Sequence, residues 1–371
     1  MGFAVQADSL DKALAGGTAS LDMRLRFERV DDSTNKNAKA ATLRTRLGYG
    51  TGIYHGFSAY GEFEHVRAVA GIDDYAPLRS GHATVADPKV TQLNQAYLDY
   101  SGLPDSRIKL GRQRLILGNA RFVGNVGWRQ NEQTFDAVSV LNKTLANITV
   151  TYAYLDKVKG ILSKFDADVD DHLINVRYDR FEGVRLTAYA YLLKDENSGA
   201  KNNTYGLRAK GKTAVGSAGR LLYTAELASQ STEDNDARYI FLEAGLALKG
   251  VTARLGYEML GSDNGKYGLQ TPLATKHAFN GWADMFLSTP AEGLRDWMLS
   301  LGGRLGGARL LAVYHDFNAD RGSTDYGSEV DLLAARNFGN RYQLGIKYAG
   351  FNADSWKTDT DKFWLWGQLK I

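Results

Sequence analysis

LDMRLRFE, residues 21–28, places Leu21, Met23, Leu25 and Phe27 on one face of an extended chain and Asp22, Arg24, Arg26 and Glu28 on the other. Side chains alternate across a strand, so a period of two marks a strand. A soluble two-sheet fold would bury one of these faces. In strand after strand, however, one face carries arginine and glutamate while the other carries Leu, Ile, Tyr and Ala. Turning the apolar face to lipid and the charged face to a wet lumen removes the conflict. The pattern therefore predicts an all-β chain, a single transmembrane antiparallel β-barrel enclosing a channel.

Composition agrees with this reading. Mean hydropathy is −0.33, and no apolar run approaches the roughly 20 residues of a membrane helix. Half of each barrel strand faces water, so a low value is expected. The chain has 40 Gly, 20 Tyr, 15 Phe and no Cys, which suits an extracytoplasmic protein without disulfides. A net charge of +3 with no basic block argues against a nucleic-acid partner. All five prolines lie outside the alternating segments. Residues 1–7 end like a secretory signal and are set aside as a remnant of one, leaving residues 8–371 as the outer-membrane barrel.

Eighteen segments alternate: 20–30, 41–50, 56–67, 92–101, 106–116, 133–142, 146–155, 171–180, 183–193, 202–210, 219–229, 237–249, 250–260, 295–303, 307–316, 327–337, 340–350 and 361–371. Every odd connection is long and most even ones are short, as expected for outer loops and periplasmic turns. An even strand number lets the last strand close on the first, with both termini periplasmic. The last strand, with Phe363, Leu365, Leu369 and Ile371 on one face, suits recognition by the barrel insertion machinery; the alternative is an exposed edge strand. Within 106–116, Arg112 and Arg114 break the phase of Ile108 and Leu110, which predicts a bulge at Gly111. In the longest loop, 261–294, Ala274–Leu287 is expected to form a short helix that either narrows the pore or caps it.

The lumen-facing charges carry the functional signal. Arg24, Arg26, Arg44 and Arg46 share one side, with Arg177, Arg185, Arg208, Arg254 and Lys347 inward on later strands, and Glu62, Glu64, Asp99, Glu226, Glu243 and Glu258 as acids. A turn near Ile53 sets Arg44 opposite Glu64 and Arg46 opposite Glu62. That leaves Arg24 and Arg26 freer for a ligand. Two readings stay open: a guanidinium track for an anionic solute, or wall charges that only pair with neighbours. The six histidines show no metal spacing and no serine elbow accompanies them. Asp166, Asp168, Asp170 and Asp171 read as a solvated loop or, less simply, a divalent-cation site. Gly50, Gly52 and Gly56 sit in a turn with no helix to hold a phosphate.

Two long stretches carry a resemblance. LGRQRLILGNARFVGNVGWRQNEQTFDAV (110–138) and TPLATKHAFNGWADMFLSTPAEGLRD (271–296), with LRTRLGY (43–49), resemble the alginate export family of bacterial outer-membrane proteins. The resemblance spans nearly the whole chain. It implies an eighteen-stranded barrel with an electropositive lumen, no cofactor, and a best-known member that secretes a polyuronate. The turn at 338–340 is too short for the plug-like segment that exporter places near its last strands. From the matching motifs, the resemblance implies a constriction set of Arg112, Arg121, Asn125, Arg129, His277, Asn280 and Asp284.

The sequence thus predicts a non-enzymatic, porin-like channel in the bacterial outer membrane for an anionic or hydroxyl-rich solute, such as a uronate oligomer or polymer. Its partners would be the lipid bilayer, lipopolysaccharide, the insertion machinery and the solute. A loop-closed scaffolding barrel and a barrel hydrolase are the alternatives.

Overall fold

The computed structural model describes residues 6–216 and 218–371. The remnant assigned to residues 1–7 lies mostly outside them; Gln6 and Ala7 bridge to Ile53. A short helix, Leu10–Ala15, precedes the barrel. The strands are β1 (Thr18–Asp31), β2 (Ala38–Gly50), β3 (Phe57–Asp74), β4 (Val90–Tyr100), β5 (Ser106–Gln113), β6 (Thr134–Asn142), β7 (Ile148–Lys159), β8 (Ala167–Tyr178) and β9 (Val184–Lys194). They continue as β10 (Lys201–Val215), β11 (Gly219–Ser231), β12 (Asp236–Leu248) and β13 (Val251–Leu260), then a two-stranded loop ribbon, β14 (Ser262–Asp263) with β15 (Tyr267–Gly268). The barrel resumes with β16 (Leu294–Leu305), β17 (Ala308–Asn318), β18 (Asp325–Phe338), β19 (Tyr342–Ala353) and β20 (Thr360–Lys370).

Apart from the ribbon, these strands form one 18-stranded antiparallel sheet that closes through β1 and β20. Closure pairs both edges of every strand, the condition for backbone to cross lipid. Leu25, Leu47, Phe63 and Leu207 point outward and are each more than half exposed, whereas Arg26, Glu28, Arg44 and Glu64 point inward and are almost wholly buried. The charged face is therefore the lumen face.

Three expectations of detail are corrected. β5 stays in step with β4 and β6 through Gly111, whose value is close approach: a Cβ there would stand 2.4 Å from the Ala96 carbonyl oxygen. The bulge lies instead at Asn94 of β4, which turns Asn94 and Gln95 both inward. Ala274–Leu287 is not a helix; only Lys276–Ala278 makes a 3₁₀ turn, and the rest runs irregularly inside the barrel. The β2–β3 hairpin turns at His55 and Gly56, both at positive φ, beyond Ile53. A turn centre moved by one residue slides partners by two, so Arg46 faces Glu64, Gly48 faces Glu62 and Arg44 faces Val66. The inward phase survives because the slip is even.

Loops 75–89, 114–133 and 261–293 all leave from the same end of the barrel and fold into its outer half. Between them and the wall lies a mostly aromatic and aliphatic core that includes Phe286 of the loop with Phe317, Phe351 and Trp364 of the strands.

Candidate functional site

The plug is built where loop 114–133 meets β1 and β2. Arg24 donates to the carbonyls of Gly127 (3.3 Å), Trp128 (2.9 Å) and Arg129 (2.5 Å), and through Nε to Gln130 Oε1 (2.9 Å). Arg26 donates to the Trp128 carbonyl at 2.6 Å and pairs with Asp87 and, at 3.4 Å, Glu28. Far from being free for a ligand, the two arginines seat a loop. Gln130 completes the seat by donating to the backbone carbonyls of Arg24 and Thr42, while its own N–H donates to Asp87. Arg44, directly across from Arg24, avoids the like charge by pairing with Asp22 at 2.6 Å.

Arg46 bridges the wall to the plug: it pairs with Glu64 and, at 3.2 Å, with Glu132. Glu132 also accepts from Asn94, Asn125 and Arg114. Burial alone would raise its pKa, but Arg46 and Arg114 outweigh it and hold the carboxyl at about 2. Glu62 accepts from Asn94 and Gln95, the two residues the bulge turns inward.

Loop 261–293 locks onto the first. Arg129 clasps both oxygens of Glu28 at 3.0 Å and reaches Asp284 at 2.9 Å. Asp284 also meets Lys362 (3.1 Å) and His277 Nδ1 (2.7 Å), and Lys347 lies 2.7 Å from His277 Nε2. A lysine donating to Nε2 leaves the proton on Nδ1, so His277 is neutral. Burial and then Lys347 hold its pKa near 3, although Asp284 favours the cation. His277 stacks flat on Trp128, at 5.2 Å between ring centres, so the two loops meet face to face. Asn280 takes Arg121 from the first loop and donates to Glu258 and Asp296 of the wall, while Arg121 pairs with Glu258 at 2.9 Å. The N–H groups of Trp282 and Ala283 donate to Asp331 and Glu329.

Six of the seven residues carried over as a constriction set thus belong to these two loops and their contacts. Arg112 does not. It shares the outward phase of Leu110 and pairs with Asp136 on the outer side of the wall. Asp87, Glu28, Gln130, Glu132 and Lys362 complete the site without having been singled out. Glu28 stood in the inward phase of LDMRLRFE; the loop residues had no periodicity to reveal them. The acidic run is largely strand, and Asp166, Asp168 and Asp170 each pair with a lysine.

Space remains on the opposite side, along β8, β9 and β10. An outer cavity of about 530 Å³ touches Asp171, Leu193 and Asn202. Below it, a slot of only about 10 Å³ lies between loop 117–122 and Asn175, Thr187, Tyr189, Tyr191 and Arg208. A second cavity of about 530 Å³ follows, against Asp179, Arg185, Lys210 and Arg254. Phe122 closes the slot, packed on Tyr189, Tyr191 and Tyr239 at 5.2–6.2 Å between ring centres. Arg177 and Arg185 share Asp179, Arg208 faces Glu226 and Arg254 pairs with Glu243. Among the described residues, Lys210 has no carboxylate within ion-pair distance.

The alginate export family profile matches residues 18–261. No curated protein matches the sequence. Solved structures share the architecture: Acinetobacter baumannii OccAB2 aligns with a TM-score of 0.79 at 13% identity, covering 97% of this chain and 99% of that one. Pseudomonas aeruginosa OccK9 (OpdG) aligns at 0.77 and 16%, covering 97% and 99%. Pseudomonas aeruginosa OpdK, in a structure with vanillate, aligns at 0.75 and 16%, covering 96% and 99%. With its closed eighteen-stranded wall, inward charges and loops gathered at one end, the chain belongs to the alginate export family of bacterial outer-membrane barrels.

Proposed function

We propose that this barrel is a channel for small anionic solutes, which travel along β8–β10 and not through the barrel axis. The observation that carries this reading is the order of the two cavities and the slot along the same three strands, with Arg208, Lys210, Arg185 and Arg254 on the inner half of that path. With Arg177, the four arginines share three acids and Lys210 stands apart, so the inner cavity holds an excess of positive charge that concentrates anions. OpdK, structurally similar, has been solved with an organic anion. A polyuronate chain does not fit this arrangement: its passage requires loop 114–133 to leave a seat made by Arg24, Arg26 and Gln130. Lipopolysaccharide around the outer rim and the insertion machinery acting on β20 are the partners this location implies.

The slot, too small for any solute, favours a second reading in which the loops seal a purely structural barrel. Planar-bilayer recording under a potassium chloride gradient separates the two. Discrete openings with an anion-selective reversal potential support the channel; a silent barrel of correct fold supports the sealed one.

A further inference from the structure

The outer cavity differs in chemistry from the rest of the path. Val126, Val158, Val169, Leu193, Leu273 and Phe165 make its walls apolar. Most of its polar groups are already engaged: Arg129 with Glu28 and Asp284, Gln133 with the carbonyls of Gly124 and Leu273, Lys194 with Asp170, and Asp171 with the backbone N–H of Lys194. Among the charged groups that line it, Lys276 is the exception. Among the described residues its ammonium has neither an ion pair nor a hydrogen-bond partner, and burial, with Arg121 nearby, pulls its pKa below the ordinary lysine value. A half-buried cation beside apolar walls, with no protein partner, leaves its charge for an incoming anion to meet.

We propose that the outer cavity is a capture site for amphipathic monoanions, in which Lys276 takes a carboxylate head and the Val126, Leu193 and Leu273 walls take an apolar body. The volume is that of a small-ligand pocket, which typically spans about 300–1,000 Å³. A sugar acid would press some of its hydroxyls against the valine and leucine walls, and hydrogen bonds left unmade there oppose binding. A second carboxylate on the ligand would meet Asp171, Asp195 and Asp284, which also line the cavity. The proposal rests on the channel reading only in placing this cavity at the channel's mouth.

The test is calorimetric titration of the full chain in detergent with benzoate, hexanoate, acetate and galacturonate. Benzoate and hexanoate are expected to bind about tenfold more tightly than acetate or galacturonate. Lys276→Met should weaken both by about tenfold, the usual scale of one charge-assisted contact, while Lys276→Arg retains them. Leu287→Gln, at the exposed rim, should weaken hexanoate and leave acetate unchanged. Galacturonate binding as tightly as benzoate, no binding of any probe, or indifference to Lys276→Met would each overturn the capture site. Because binding is read in detergent and conduction in bilayers, a barrel that binds benzoate without conducting refutes the channel alone, and one that conducts without binding refutes the capture site alone.

Discussion

Along β1 and β2 the inward arginines disappear into loop carbonyls and buried carboxylates, whereas along β8–β13 arginines of the same phase line open space. Both sectors have the alternation of a barrel wall. The difference lies in what arrives from above: loops 75–89, 114–133 and 261–293 anchor their charged contacts mainly on the β1–β3 and β13–β20 side, while β8–β10 is met by the tip around Phe122 and by Tyr267, which accepts from Asn202. An inward arginine is therefore a plug anchor or a wall group facing open space according to the loop geometry over it, not according to its place in its strand.

The comparison breaks most visibly at the anchors. Replacing Arg24 and Arg26 with Ser strips the seat of loop 114–133 and leaves Asp87 and Glu28 short of a counter-ion, a change of the kind that costs about 3–5 kcal/mol. The expected result is a several-fold rise in conductance from a barrel still resistant to unfolding in detergent; unchanged current would mean that the loop is no barrier.

Phe122→Ala acts on the other sector. Loss of a buried phenylalanine costs about 3–5 kcal/mol, here largely local to the loop tip, and widens the slot. Single-channel current should rise by less than in the anchor variant, with anion preference retained, since Arg208 and Lys210 are untouched.

Acidification tests the lock between the loops. With its pKa held near 3 against an ordinary 6.5, docked His277 binds fewer protons than it does once released. Docking therefore weakens as pH falls through that interval, by at most about 1.4 kcal/mol per unit. The carboxyls of Glu132 and Asp284, held low when docked, add their loss only below about pH 4. Open probability should climb from pH 7 to pH 4, and His277→Asn should flatten the upper part of that climb. A flat profile in the native barrel would sever the lock from gating.

The smallest effects lie on the wall itself. Lys210→Gln should shift the reversal potential toward neutrality by a few millivolts, most clearly at low salt, where the Debye length is about 30 Å. Arg112→Ser, on the outer side, should leave conductance and selectivity as they are.

Strand number, inward phase and the length contrast between the two ends were legible because lipid and lumen impose a strict period of two on LDMRLRFE and its counterparts. Pairing across the β2–β3 hairpin was not: that depends on where His55 and Gly56 take positive φ, and a shift of one residue there leaves the pattern of apolar and charged residues unchanged. The plug was harder still. Gln130, Asn131, Glu132 and Gln133 form a polar run that composition places in solvent, yet all four are buried. Their burial depends on partners 43 to 106 residues away, such as Asp87, Arg24 and Arg46, and no local period records those meetings. The resemblance to exporter motifs found the two plug loops where periodicity could not.

The chain has six tryptophans, and four of them gather at one point. The Lys347 ammonium lies over the rings of Trp128, Trp282 and Trp364, at 4.5, 3.6 and 5.3 Å, and Trp366 stands edge-on to Trp128. Trp128 and Trp282 belong to the two loops; Trp364 and Trp366 belong to β20. Whatever lifts either loop pulls indoles away from a cation and into water, changing both the intensity and the wavelength of their emission. The closed state thus carries its own optical gauge, readable in unlabelled protein and without an electrode.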